Sequence, residues 1–268
     1  MSRALPSLRP DTIAERWAKL EPHVEVVGPD DDLPRPAVLL FHGCGGKREH
    51  TSRYARTAAA AGFRAFVIDS YAPRGWTRAF GLAFVCSGLA FRGAERSGDV
   101  LAAAWGVAQR ADVQGDRLCL AGWSHGGWAI MDLMTMPLTR SGEAGLADAS
   151  DKPLAGVKSL FLVYPYGGIG ALSRIRPWVR NPRALAVICA RDHITSQADA
   201  EKLYGAARRA GGPLEIWHVA GTHAFDEPGT GGVMRYDQAL ADEAHDRFRK
   251  LLVDSLGVAE PVAAKRTA

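Results

Sequence analysis

Short apolar stretches alternate along the chain with longer segments in which apolar residues recur every three or four positions. The short stretches are rich in Val, Ile, Leu and Phe, which is typical of strands in a sheet that is buried on both faces. The longer segments have the period of amphipathic helices, and several end at a glycine. This alternation predicts an α/β fold with a mostly parallel, doubly wound sheet and helices on both faces. The predicted strands cover 23–29, 36–43, 63–71, 116–122, 157–166, 183–192 and 213–223.

Each predicted helix carries one apolar face. The last of them places Tyr236, Leu240 and Phe248 on the same side of a helix over 234–256. No internal repeat or linker interrupts the alternation, so we predict a single domain over residues 1–256 and a disordered tail over 257–268. The predicted helices cover 52–62, 96–110, 126–136, 197–210 and 234–256.

Composition and charge exclude several classes of function. The net charge of +4 comes from arginines that are scattered among acidic residues, without the clustering that a nucleic-acid-binding face requires. The most apolar run, 79–91, is shorter than the roughly 20 residues that span a bilayer. The first residues lack the apolar segment of a signal peptide. We therefore expect a cytoplasmic protein that binds neither nucleic acid nor membrane.

The four cysteines are Cys44, Cys86, Cys119 and Cys189, and they lie far apart in the sequence. They form no Cys-x-x-Cys pair and no spacing with histidine that suits zinc. Cys119 and Cys189 fall inside apolar strands, where a buried thiol is expected. The spacing therefore predicts neither a disulfide nor a metal site.

The sequence Gly122-Trp123-Ser124-His125-Gly126 lies between a predicted strand and a predicted helix. In such a sheet this turn is at the carboxyl end of the strand, where ligands bind. Glycines on either side allow a strained turn in which neighbouring backbone approaches closely. The pattern and its context predict a nucleophile elbow with Ser124 as the nucleophile.

A serine nucleophile needs a base and an acid that orients the base. His223 is at the end of the last predicted strand, where a loop begins from which it can reach the serine, and Asp192 is at the end of the strand before it. Asp226 lies three residues past the histidine, and Asp69 ends a strand that precedes the elbow, so both are weaker candidates for the acid. The order Ser124, Asp192, His223 is the one expected for this architecture.

Attack on a carbonyl creates an oxyanion that needs hydrogen-bond donors already in place. The elbow offers the backbone N–H of His125, and the glycine-rich loop 42–46 lies at the same edge of the sheet. We expect the second donor to be the N–H of Cys44, with a neighbouring residue of that loop as the alternative. These donors would complete an oxyanion hole beside Ser124.

Two segments that start at the carboxyl edge are candidates for a cap over the pocket, namely 70–98 and 164–178. The expected substrate contacts are Trp123, Tyr164 and Arg92, although Trp123 has an equally good explanation as a core residue. Arginines bracket the apolar part of the first segment, which raises the hypothesis of an anionic substrate. They are Arg74, Arg78, Arg92 and Arg96.

The segments "FHGCGG", "VIDSYAPRG", "LAGWSHGG", "VYPY" and "AGTHAFD" together resemble the α/β-hydrolase superfamily, and more narrowly the dienelactone hydrolase family. They occur in family order between residues 36 and 226. The resemblance implies an α/β-hydrolase fold and a serine-dependent hydrolase with a Ser124, His223, Asp192 triad and no metal or organic cofactor. The name-giving enzymes have a cysteine where Ser124 stands and a glutamate where Gly43 stands. The resemblance therefore implies an esterase-like activity on a different ester.

The expected function is hydrolysis of a carboxylic ester or lactone through an acyl-enzyme on Ser124. The same triad could instead transfer the acyl group to another acceptor or cleave peptide or carbon–carbon bonds. A ligand-binding member of the fold without activity usually lacks one triad residue, whereas all three are present here. The expected partner is a small-molecule ester or lactone, and the chain is expected to be a monomer or a homodimer.

Overall fold

Seven strands form one sheet, in the order β1-β3-β2-β4-β5-β6-β7, in the computed structural model, which describes residues 9–209 and 211–257. β1 runs antiparallel to β3, and the other pairs are parallel. The parallel α/β sheet expected from the alternation is thus confirmed, with an antiparallel first strand in addition. The strands are β1 (Glu25–Val27), β2 (Arg35–Phe41), β3 (Arg64–Ile68), β4 (Val113–Trp123), β5 (Val157–Val163), β6 (Arg183–Arg191) and β7 (Leu214–Thr222).

Helices cover both faces of this sheet. The helices are α1 (Ile13–Leu20), α2 (Glu49–Ala60), α3 (Arg78–Phe80), α4 (Gly93–Ala108), α5 (His125–Met134), α6 (Gln197–Arg209) and α7 (Gln238–Leu256). Alternate residues of a strand point to opposite faces, so Leu39 packs in a core with α1, α4 and α5, while Leu40 packs in a second core with α2 and α7. No helix in the described ranges is both long and apolar enough to cross a bilayer.

The largest differences from the predicted helices are at α7 and at α1. α7 begins at Gln238 rather than at residue 234, because the side chain of Asp237 accepts a hydrogen bond of 3.1 Å from the N–H of Leu240 and caps the helix there. α1 was not predicted. This amphipathic helix begins with a capping box at Thr12. Of the expected tail, Gly257 is described, and residues 258–268 lie outside the described part of the chain.

Cys44 and Cys86 form a disulfide, so the expectation of no disulfide is wrong. Their Cα atoms lie 5.2 Å apart although 42 positions separate them in the sequence. They meet because the segment after β3 folds back over the loop after β2, a contact that no cysteine spacing can reveal. Cys119 and Cys189 are buried thiols, as expected, and burial raises the pKa of Cys119 to about 12. Oxidising compartments maintain such a bond, whereas a reducing cytoplasm would hold Cys44 and Cys86 as thiols.

Reduction of this disulfide is expected to lower the free energy of unfolding by about 2–4 kcal/mol, because the bond restricts the unfolded chain. Alkylation of the denatured protein should modify two thiols before reduction and four after it. Urea unfolding with and without dithiothreitol measures the energetic effect. The Cys86→Ser variant is the control, since reductant has no bond to break in it. Four reactive thiols in the protein before reduction would contradict the pairing.

Candidate active site

The turn at Ser124 joins β4 directly to α5. Ser124 has φ 48° and ψ −110°, a strained conformation for a residue with a side chain. Its N–H donates a hydrogen bond of 3.0 Å to the carbonyl of Val163 on β5. A Cβ at Gly122 would lie 2.6 Å from the carbonyl carbon of Gly126, and one at Gly126 would collide with the carbonyl oxygen of Phe41. Both glycines are thus required by backbone contact, as the elbow pattern indicated.

Three predicted residues lie together in a hydrogen-bonded series. The Nε2 atom of His223 is 3.0 Å from the Oγ atom of Ser124, and its Nδ1 atom is 2.8 Å from Oδ2 of Asp192. The other carboxylate oxygen of Asp192 accepts the N–H groups of Ile194 at 2.8 Å and Thr195 at 3.0 Å. A carboxylate only accepts, so Nδ1 of His223 carries the hydrogen and Nε2 is free to accept the serine hydroxyl.

Asp192 is held in its charged form. Burial raises the pKa of this carboxyl group, but the hydrogen bonds from His223 and from the two backbone N–H groups outweigh burial and lower the pKa below its ordinary value. The side chain is 2% exposed, so the charge acts on the imidazole with little screening by water. The carboxylate therefore fixes the orientation of the imidazole through Nδ1.

Asp226, the alternative acid, has a different position. Its buried carboxylate accepts the indole N–H of Trp123 at 2.9 Å and the hydroxyl of Tyr164 at 2.5 Å. The ring of Tyr164 in turn lies 4.6 Å from the ring of His223, centroid to centroid. Asp226 therefore fixes the residue before Ser124 and the ring beside His223, and the structure pairs His223 with Asp192.

The glycine-rich loop after β2 lies beside the serine. A Cβ at Gly43 would be 3.5 Å from the Cβ of Ser124, which places the next peptide close to the reacting atom. Among the described residues, neither the N–H of Cys44 nor that of His125 donates to a protein acceptor. Both N–H groups are therefore available to a ligand, as the expected oxyanion hole requires.

A cavity of about 260 Å³ is lined by Ser124, His223 and the loop of Cys44. Its wall includes the Cys44–Cys86 disulfide and is otherwise mostly apolar. One polar corner holds the ion pair of Arg48 with Glu227, at 2.6 Å. The apolar lining residues are Leu82, Trp123, Ile194, Ala224 and Met234.

The predicted substrate contacts divide into two groups. Trp123 and Tyr164 line the cavity. Arg92 does not: it is exposed at the start of α4, where its N–H donates to Glu95 at 2.7 Å. The contact expected at Arg92 is therefore not supported by its position, and the arginine of that segment that does line the cavity is Arg78.

The two candidate cap segments also differ. The first covers the cavity through Arg78, Leu82 and Cys86. The second contributes only Tyr164 to the lining. Elsewhere it contacts α5, where the N–H of Ser173 donates to Asp132 at 3.2 Å, and α6, where Arg174 pairs with Asp199 at 3.2 Å. Of the two candidate cap segments, the first, which the disulfide anchors, contributes several side chains to the cavity wall, and the second contributes one.

Arg96, which the sequence places only among the arginines that could hold an anionic substrate, lies on α4 with 0% exposure. Its signal in the sequence is a charge among small and apolar residues of a predicted helix, close to Asp99, which is also fully buried. Arg74 and Arg16 pair with that aspartate at 2.9 Å each. No group of three His, Cys, Asp or Glu side chains in the described ranges could hold a metal ion.

No family model and no curated protein matches this sequence. Solved structures do match it. A candidate dienelactone hydrolase from Klebsiella pneumoniae has 18% identity and a TM-score of 0.63, with 86% of this chain and 92% of that chain covered. A dienelactone hydrolase-like promiscuous phosphotriesterase from metagenomic libraries has 15% identity and a TM-score of 0.63, covering 87% and 92%.

Thermogutta terrifontis esterase 2 with propionate bound has 16% identity and a TM-score of 0.63, covering 89% of this chain and 90% of that chain. The same esterase also matches in a form phosphonylated by sarin, with a TM-score of 0.62. At these identities the likeness establishes the fold. The chain has the α/β-hydrolase fold.

Asp132 is expected to make stability depend on pH. Burial raises the pKa of this carboxyl group from 3.8 to about 7, so the folded state retains a proton that the unfolded state loses. The free energy of unfolding should therefore fall as pH rises from about 4 to about 7, by at most about 1.4 kcal/mol per pH unit from this group.

Urea unfolding at several pH values checks this expectation against the Asp132→Asn variant, which cannot ionise and keeps an acceptor oxygen. The difference between the two proteins should grow in favour of the variant up to about pH 7 and then stay constant. Curves that run parallel from pH 4 to 8 would refute the assignment.

Proposed function

We propose that this chain is a serine hydrolase of the dienelactone hydrolase family that cleaves a carboxylic ester or lactone. The observation that carries the proposal is the hydrogen-bonded series from Ser124 through His223 to Asp192, with distances of 3.0 and 2.8 Å. The series borders a cavity beside the N–H groups of Cys44 and His125, which donate to no acceptor among the described residues. The motifs in family order and the likeness in fold to hydrolases support the family. The serine in place of the family's cysteine supports an ester other than dienelactone.

In the first half of the proposed reaction, Nε2 of His223 takes the hydroxyl proton of Ser124 while Oγ bonds to the carbonyl carbon of the ester. The π electrons of the carbonyl move to its oxygen, which the N–H groups of Cys44 and His125 bind. The carbon–oxygen bond to the alcohol then breaks, and the alcohol leaves with the proton from His223. Asp192 stabilises the imidazolium between these two proton transfers.

In the second half, water attacks the acyl-enzyme. His223 takes a proton from the water, and the new oxyanion is bound by the same two N–H groups. The ester bond to Ser124 breaks, and Oγ recovers the proton from His223 as the acid leaves. No group in this sequence needs to change its role between the halves, since Asp192 holds the same imidazole tautomer throughout.

Labelling with a fluorophosphonate tests the nucleophile, because such reagents phosphonylate an activated serine. We expect one adduct that maps to Ser124 and none in Ser124→Ala. With p-nitrophenyl acetate, Ser124→Ala should lose turnover, and Asp192→Asn should lower kcat by about 10³–10⁴-fold because it stabilises the wrong imidazole tautomer.

Ser97→Ala is the matched control for these variants. Ser97 is also buried, but its hydroxyl donates to the carbonyl oxygens of Gly93 and Ala129 and lies outside the cavity. Its labelling and turnover should stay near those of the wild type. Undiminished labelling in Ser124→Ala would refute the proposal.

The cavity also predicts the length of the acyl chain. Its volume of about 260 Å³ is below the roughly 300–1,000 Å³ of most small-molecule sites, and its walls are largely apolar. Esters of acetate to butyrate should therefore have a higher kcat/KM than esters of octanoate or longer acids. Met234→Ala, which removes a lining side chain, should shift the preference to longer chains.

Val233→Ala is the control for the enlarged cavity, because Val233 is the adjacent residue and is exposed at 67% without lining the cavity. A series of p-nitrophenyl esters measures the three proteins side by side. The same chain-length profile in all three would show that this cavity does not hold the acyl group.

A further inference from the structure

Arg96 is a buried cation without a carboxylate in contact. The side chain is 0% exposed, and none of the ion pairs among the described residues includes it. Its guanidinium donates to the carbonyl of His42 at 2.7 Å, to Nδ1 of His125 at 3.1 Å and to Oγ of Ser70 at 3.1 Å. Burial of such a charge costs free energy unless hydrogen bonds compensate for the lost hydration. We call His42, Ser70, Arg96 and His125 the Arg96 network.

The hydrogen bonds determine which ring nitrogen carries the hydrogen in His42 and in His125. Arg96 can only donate, so Nδ1 of His125 accepts, and its Nε2 donates to the carbonyl of Phe91 at 2.7 Å. The N–H of Ser70 donates to Nε2 of His42 at 3.2 Å, which leaves the hydrogen on Nδ1. Burial lowers the pKa of His125 to about 3 and that of His42 well below its ordinary value, so both rings are neutral.

The network binds the carbonyl groups of His42 and Gly43, in the loop after β2 that passes beside Ser124. Arg96 holds the carbonyl of His42, and Nδ1 of His42 donates to the carbonyl of Gly43 at 2.7 Å. In a planar trans peptide the N–H points opposite to the carbonyl. The N–H of Cys44 is therefore directed away from the buried side. Arg96 also donates to the ring of His125, the first residue of α5.

We propose that Arg96 is a positioning residue of the oxyanion hole: one guanidinium holds the His42 carbonyl and the His125 ring, and so directs the N–H groups of Cys44 and His125 at the ester carbonyl oxygen. The inference rests on the proposed function. The charge lies behind hydrogen-bonded peptides in a buried site, where it also favours the developing oxyanion. Arg96 touches neither the substrate nor the reacting atoms.

The variants Arg96→Met and Arg96→Lys test this role. Arg96→Met removes the charge and the donors, and should lower kcat for p-nitrophenyl acetate about 10²-fold, as the loss of an oxyanion donor does, with KM within about threefold. Arg96→Lys keeps a charge, but its ammonium nitrogen ends one bond short of the Nη1 atom that binds His42 and His125, and it lacks the Nε donor to Ser70, so kcat should fall about tenfold.

Arg74→Met is the matched control. Arg74 also contacts Ser70, donating to its carbonyl at 2.6 Å, and lies over the ring of Phe91, but it pairs with Asp99 and touches neither His42 nor His125. Its kcat should stay within about threefold of the wild type. A general loss of packing in this region would affect both arginine variants alike.

A trifluoromethyl ketone separates positioning from structural loss. Oγ of Ser124 adds to its carbonyl carbon, the hydroxyl proton goes to His223, and the electron pair of the carbonyl moves to an oxyanion in the hole. Its affinity should fall in Arg96→Met by the same factor as kcat/KM. An unchanged kcat, an unchanged affinity for the ketone, or a loss in KM alone would overturn the inference.

If Arg96→Met does not fold by circular dichroism, Arg96→Lys decides, and an unchanged kcat in that variant overturns the inference. Failure of the proposed function is recognised separately, because the wild type would then show neither labelling at Ser124 nor ester turnover. A wild type that turns over esters beside an equally active Arg96→Met refutes the positioning role alone.

Discussion

The strained backbone at Ser124 is the constraint on which the candidate site depends. A residue with φ 48° stays in that conformation only if its surroundings hold it. Here β5 accepts its N–H, and the glycines on either side let β2 and α5 approach without a Cβ between them. The hydroxyl is thereby raised above the carboxyl edge of the sheet, where the loops after β6 and β7 bring Asp192 and His223 to it.

How much of this could be predicted from the sequence depends on the range of the interaction. The sheet, the elbow and the series of Ser124, His223 and Asp192 follow from local patterns, because the carboxyl ends of parallel strands must meet at one edge. The start of α7 was misplaced since a capping side chain, and not apolar period, sets it. The position of Arg92 does not support the expected contact for a different reason: an arginine near an edge has no preferred direction until the segment around it is folded.

Neither the disulfide nor the Arg96 network could be predicted from the sequence, and the reason is the same for both. Each joins residues that are tens of positions apart through the packing of the segment after β3 against the loop after β2. Buried polar groups of this kind also include Asp226 and Asp99, each held by donors from distant parts of the chain. In a low-dielectric interior such groups tolerate few arrangements, so they specify the loops around the serine more sharply than apolar packing does.

The bond between Cys44 and Cys86 closes a covalent ring that contains the whole of α2 and β3. A protease that cuts the backbone once inside this ring does not release a fragment, because the two new ends remain parts of one molecule through the sulfur bridge. After such a cut, Gly43 and Cys44 would belong to one segment and Ser124 to the other, with the disulfide still joining them. Backbone continuity and molecular integrity are therefore separate properties in this part of the protein.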